Sequence, residues 1–182
     1  MRFLIFLCLL PIHLWASVPN SINGLSIEED INKEIHFKDA EMATIVVFLS
    51  ATCPCSDSHI PYLKKLKAEF PKFNYIGIHS NMDEDEKETK NYFNKVNLPF
   101  EVIQDTDVKL ADSFGANKTP HAFIISKENK ILYEGGVTSS AKAHEASHFH
   151  LRDALTDLTA GRKIKTKEVR TLGCMISREK ES

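Results

Sequence analysis

Apolar and polar positions follow two different periods along this chain. Thr44–Leu49 (TIVVFL) is a continuous apolar, β-branched run, which predicts a strand buried on both faces. From about Ser56 to Phe70 the period changes. Ile60, Leu63, Leu66 and Phe70 recur at spacings of 3, 3 and 4, with lysines on the other face, and predict a helix. Phe73–His79 (FNYIGIH) reads as a second strand. Asp83–Val96 reads as a helix whose acidic opening (DEDEKE) complements the helix dipole and forms a solvated face. Phe100–Gln104 predicts a short strand, and Asp107–Phe114 a short helix stopped by Gly115. Ala122–Ser126 and Lys130–Glu134 predict a hairpin across Lys127-Glu128-Asn129, closed by Gly135-Gly136. Ala143–Thr159 predicts a last helix with Leu151, Leu155 and Leu158 as its inner stripe and Gly161 as its stop. Val18–Lys38 is polar and loosely patterned, an extension expected to add one edge strand. The order β-α-β-α-β-α-β-β-α predicts an α/β fold, a mixed central sheet flanked by helices on both faces.

Composition bounds this picture. The chain has 182 residues, 42% hydrophobic and 26% charged, enough for a packed core and unlike a disordered chain. Its formal charge of −2 lacks the basic excess of a general nucleic-acid binder. The first segment alters the arithmetic. In Met1–Ala16, Arg2 precedes an apolar run, Phe3–Leu10, and small residues follow at Ala16 and Ser17. This is the pattern of a secretory signal peptide. The run is shorter than the ~20 residues a membrane span needs. Cleavage near Ala16, and export to the periplasm or the medium, are expected; retention as an uncleaved anchor is the alternative. Cys8, flanked by leucines, lacks a lipidation context. Removing residues 1–16 takes away Arg2, Cys8 and His13, which brings the net charge to −3 and leaves Cys53, Cys55 and Cys174. The expected organisation is a signal peptide (1–16), an N-terminal extension (17–40), one domain (41–161) and a tail carrying Cys174 (162–182).

Cys53 sits where a buried strand hands over to a helix. Unpaired N–H groups and the positive dipole end at a helix N-terminus stabilise a thiolate and make it nucleophilic at neutral pH. Pro54 suits the first helical turn. Cys55 gives Cys-Pro-Cys, and a disulfide within so small a ring is expected to be strained and easily reduced. Cys174 has three open readings: resolving partner, spare thiol or intermolecular partner. His144 and His148, four apart, read as a solvated helix start rather than a metal pair. His59 falls in the helix after Cys53. A copper site of Cys53, Cys55 and His121 is conceivable, because soft thiolates select Cu(I).

Thr119-Pro120 before the first hairpin strand, Gly135-Gly136 after the second, and Pro61 eight residues past Cys53 carry a resemblance. The chain resembles the thioredoxin superfamily, and Thr119-Pro120 looks like that family's cis-proline dipeptide. It is more similar still to the redoxin branch, of the alkyl hydroperoxide reductase/thiol-specific antioxidant type. That likeness rests on the insert before the hairpin, Asp112-Ser113-Phe114-Gly115 through Thr119-Pro120-His121-Ala122-Phe123, Leu151–Leu155 and Gly173-Cys174-Met175-Ile176. The resemblance implies a thioredoxin-like fold with a redoxin-type insert and an exported thiol–disulfide oxidoreductase. Cys53 would be the nucleophile, resolved by Cys55 or Cys174, with Pro54, Thr119 and Pro120 at the substrate groove. It implies a protein or small-molecule disulfide or thiol as substrate and a separate dithiol as electron donor. It implies no organic cofactor, metal or nucleic acid, and no stable span once the signal is cleaved. Two features depart from the families' patterns: Ser56 stands at the second cysteine of Cys-x-x-Cys, and Val46 at the proline of the peroxidase motif, although Ser50 fits its hydroxyl position. A thiol peroxidase and a copper-binding protein are the alternatives.

Overall fold

The computed structural model describes residues 18–179; the expected signal peptide, with Cys8 and His13, lies outside them. The strands are β1 (Ser21–Ser26), β2 (Asn32–His36), β3 (Thr44–Leu49), β4 (Asn74–His79), β5 (Val102–Gln104), β6 (Lys118–Thr119), β7 (His121–Ile125), β8 (Ile131–Gly135) and β9 (Cys174–Met175). The α-helices are α1 (Pro54–Glu69), α2 (Glu86–Val96), α3 (Lys109–Phe114) and α4 (His150–Thr159). Seven strands form one mixed sheet in the order β2-β1-β5-β4-β3-β7-β8. β4 is its central strand, and β3 beside it runs parallel to β4 and antiparallel to β7. A separate two-stranded sheet joins β6 to β9.

The alternation of β3 builds both cores. Ile45, Val47 and Leu49 face one layer with Ile60, Leu63 and Leu66 of α1 and Leu151 and Leu155 of α4. Val46 and Phe48 face the other with Ala111 and Phe114 of α3, Phe123 and Ile176. Every residue of β3 is buried, as its unbroken apolar run requires. The strand therefore holds its C-terminal end, where Cys53 follows, at a fixed place.

Four departures from the sequence expectations have local causes. The N-terminal extension supplies a hairpin, β1 and β2, rather than one edge strand. Asp30, at φ 63°, makes the turn, and Ile22 anchors the polar strands in the second core. The second helix starts at Glu86, not Asp83, because the Asp85 side chain caps it by accepting from Glu88 N. The last helix starts at His150; Ala143–Glu145 is a separate single turn of 3-10 helix. His144 and His148 therefore do not share a helix face. Residues past Gly161 pack back on the sheet: Val169 N donates to Glu134 O, Glu134 N donates to Lys167 O, and Ile176 is buried.

Candidate active site

Cys53 is the N-cap of α1, with Pro54 in the first turn. Its Sγ accepts from Ser56 N at 3.4 Å and lies 3.5 Å from the Thr119 carbonyl oxygen. Ser56, at the position where Cys-x-x-Cys has its second cysteine, is itself buried, and its hydroxyl oxygen accepts from Ser50 N at 3.1 Å. The residue that replaces the second cysteine thus ties the strand end to the helix.

The Thr119-Pro120 peptide is cis, as the resemblance implies. It delivers Thr119 to the mouth of the site, fully buried, with its carbonyl against Cys53. β6 then pairs antiparallel with β9, Lys118 opposite Met175 and Thr119 opposite Cys174. This pairing brings the tail cysteine to the site. Cys53 and Cys174 form a disulfide across 121 residues, with Cα atoms 6.1 Å apart. Gly173 makes the approach feasible: at φ +157° its backbone lies so close to the Thr119 carbonyl that any Cβ would collide with it. Ile176 N donates to Asn117 O at 3.0 Å and fixes the strand beyond.

Cys55 is a free thiol in the first turn of α1. The Sγ atoms of Cys53, Cys55 and Cys174 all lie within 4.8 Å of one another. Cys53 is 4% exposed, whereas Cys55 and Cys174 are half-buried and face the access side. The three cysteines singled out in the sequence are therefore one cluster, with Pro54, Thr119 and Pro120 around it.

Beneath the cysteine loop lies a buried polar group that the sequence reading passed over. Glu84, in the acidic run that predicts a solvated face, has a buried side chain and acts as a hub. It accepts from the Ser50 hydroxyl, from Ala51 N at 2.8 Å, Thr52 N at 3.2 Å, Asn81 Nδ2 at 2.7 Å and His79 Nε2 at 3.1 Å. Ser50 Oγ in turn accepts from Cys53 N at 2.9 Å. Burial opposes the Glu84 charge, but the hydrogen bonds from His79 and Ser50 outweigh it and hold the carboxyl below the usual carboxylate range. The available signal was His79, at the end of a buried strand five residues before Glu84, a spacing that lets a loop fold one onto the other.

The histidines divide. His59 is buried; its Nδ1 lies 2.7 Å from the Cys55 carbonyl oxygen and its Nε2 3.0 Å from Thr138 Oγ1. Desolvation lowers its pKa. His121 lies against Phe123, the rings tilted by 35° with centroids 4.4 Å apart, and burial pushes its pKa down to about 4. Among the described residues its Nδ1 has no hydrogen-bond partner. The one three-ligand cluster among the described residues joins Cys174, not His121, to Cys53 and Cys55. The conceivable Cys53/Cys55/His121 set is thus not assembled; the sulfur of Cys174 stands where that set would have its imidazole.

Comparison with known proteins places this geometry. A model of the AhpC/TSA family matches residues 20–134. A thiol-disulfide oxidoreductase ResA from Bacillus thuringiensis (strain Al Hakam) is 27% identical over 104 residues, covering 55% of this chain and 58% of the relative. A second ResA, from Halalkalibacterium halodurans, is 24% identical over 114 residues, covering 60% and 65%. The chain thus spans less than two thirds of the length of these curated relatives. Among solved structures, an uncharacterized conserved protein from Geobacillus kaustophilus superposes with a TM-score of 0.77 at 21% identity, over 91% of this chain and 92% of that one. A secreted disulfide oxidoreductase of Mycobacterium tuberculosis, homologous to DsbE of E. coli, gives 0.56 at 14% identity, over 77% and 95%. These structural likenesses establish the thioredoxin-like fold.

Proposed function

We propose, from the premise that the chain belongs to the AhpC/TSA family, that it is an exported thiol–disulfide oxidoreductase with Cys53 as nucleophile and Cys174 as resolving cysteine. The observation that carries the reading is the Cys53–Cys174 disulfide at the N-terminus of α1, against the cis Thr119-Pro120 peptide. In the reduced protein the Cys53 thiolate, stabilised by the Ser56 N–H and the helix dipole, attacks one sulfur of a substrate disulfide. A mixed disulfide forms and one substrate thiolate leaves. Cys174 then attacks Cys53 Sγ, the internal disulfide forms, and the second substrate thiolate leaves. Two electrons have passed to the substrate. A separate dithiol restores them, breaking Cys53–Cys174 and departing as its own disulfide; run backwards, the same steps oxidise a substrate dithiol.

A substrate backbone would pair at the Thr119 edge, alongside Pro120 and Pro54. While β9 is paired there that edge carries Cys174, so substrate entry requires β9 to yield. The peroxidase alternative is less well supported. Its hydroxyl position, Ser50, donates its hydrogen bond to Glu84 rather than to a ligand at Cys53. Export rests on the N-terminal pattern, and no helix among the described residues is long and apolar enough to cross a membrane.

The test is trapping. Cys174→Ser, reduced and mixed with a model peptide disulfide, should accumulate a mixed disulfide at Cys53, while Cys53→Ser should fall to the uncatalysed rate. Undiminished turnover in Cys174→Ser would hand the resolving role to Cys55. Full activity in Cys53→Ser would end the reading.

A further inference from the structure

We propose that, once the Cys53–Cys174 disulfide is opened, Cys53, Cys55 and Cys174 bind a single cuprous ion through three thiolates, and that the disulfide closes this site when it re-forms. The proposal rests on the reading above only in that the disulfide is reducible.

Geometry supplies the first argument. The three Sγ atoms already lie within 4.8 Å of one another. Metal–thiolate bonds of about 2.3 Å put the corners of a trigonal plane about 4 Å apart. Opening the disulfide requires Cys53 and Cys174 to separate from bonding distance to about that spacing, while Cys55 is in range at the start. Cleavage of the S–S bond leaves Cys174 in place. Its backbone still pairs with Thr119, Ile176 N still donates to Asn117 O, and the Ile176 side chain is 4% exposed in the second core. Cys53 and Cys55 are held by the first turn of α1. The donor set is therefore held in position by two anchored segments.

Chemistry supplies the second. Among the described residues no carboxylate or imidazole shares the cluster, so the donors are all soft, and soft thiolates favour cuprous copper over hard cations. A structural zinc ion takes four protein ligands, and three sulfurs leave it one short. Three thiolates and one monovalent cation carry a charge of −2. That charge sits at the positive end of α1, where Ser56 N already donates to Cys53 Sγ. Cys55 and Cys174, being half-buried, form the entry side, with Cys53 behind them.

The steps balance. A dithiol donor delivers two electrons and two protons; the S–S bond breaks, two thiols form, and the donor leaves as a disulfide. Copper entry then displaces three thiol protons and moves no electron. Re-forming the disulfide passes two electrons to a substrate disulfide, which leaves as two thiols, and the loss of two of the three donors releases the cuprous ion unchanged.

The experiment is an anaerobic titration of the reduced full chain with Cu(I) against a competing chelator, after the three thiols have been counted. We expect one copper per chain, three sulfur neighbours by X-ray absorption, and none bound by the disulfide form. Loss of an outer-sphere partner alone costs a metal site about 10–100-fold in affinity. Cys55→Ser and Cys174→Ser should each weaken retention by at least about 10-fold, with circular dichroism confirming that both are folded, and His121→Ala should retain copper as the parent does. Equal retention by Cys174→Ser, loss in His121→Ala, or retention of zinc without copper would overturn the proposal. A parent chain that holds copper but exchanges no model disulfide keeps this site and removes the proposed activity. One that exchanges disulfides but holds no copper removes this site alone.

Discussion

Glu84 is charged in a place where a bare carboxylate is costly to bury. Its side chain is 3% exposed, and the cost is met by donors from four sources: the Ser50 hydroxyl, the Ala51 and Thr52 amides, the Asn81 side-chain amide and the His79 ring. Two of those sources belong to residues 50–52, immediately before Cys53, so the residue that steadies the nucleophile's loop lies outside it. Removing one partner of a buried pair typically costs about 3–5 kcal/mol. Glu84→Ala should lose about that much stability in urea unfolding and should slow thiol exchange at Cys53, while Glu84→Gln, which keeps one side-chain oxygen to accept from the backbone amides, should lose less of both. If Glu84→Ala unfolds at the parental midpoint, the hub is not structural. Nothing in an acidic run distinguishes one buried member from its solvated neighbours Asp83 and Asp85. Cys53, by contrast, is readable because its position after an apolar strand and before a helical period fixes its environment.

At the scale of elements, the long periodic segments were legible and the short pairings were not. β3 and α1 carry enough apolar residues to declare their period, whereas β6 and β9 are two residues each and exist because of what they pair with. Residues 162–179 read as a tail because no period runs through them. Their docking depends on a hydrogen-bonded edge at Thr119 and one glycine. Gly173 is where that dependence is testable. A Cβ there would overlap the Thr119 carbonyl, and overpacking of this kind costs about 1–3 kcal/mol. Gly173→Ala should therefore lower the equilibrium constant for closing Cys53–Cys174, titrated in a thiol redox buffer, by about 5- to 150-fold. Gly161→Ala is the control: also at positive φ, but with no atom within 4 Å of its new Cβ. It should leave the closing constant unchanged. Equal closing constants in all three proteins would mean that β9 reaches Thr119 without the close approach.

For the whole molecule, His59, His121 and Glu84 contribute to the response to acid. Burial lowers the pKa of His59 and takes that of His121 to about 4, so both stay neutral in the fold at pH values where the unfolded chain has protonated them. The unfolded state then binds more protons, and stability must fall as pH drops. For His121 the loss begins near the unfolded value of about 6.5 and is complete near the folded value of about 4. Glu84 works in the same direction but later. Its folded pKa is depressed, so its contribution is whole above the ordinary carboxylate value of about 4.3 and drains away as pH falls through the folded one. Two successive windows result, histidines first and the loop carboxylate second. The sheet makes the first window obligatory, because His121 is one of the five consecutive buried residues of β7 and its ring lies against Phe123 in the second core. Replacing it with an apolar side chain of similar size, His121→Leu, removes one proton from the difference between the states. Between pH 6.5 and 4 the slope of unfolding free energy against pH should decrease by up to about 1.4 kcal/mol per pH unit, measured by urea midpoints across that range. Above pH 7 the two proteins should show parallel profiles. A His121→Leu profile with the parental slope between pH 6.5 and 4 would mean that the ring takes up its proton without leaving the core.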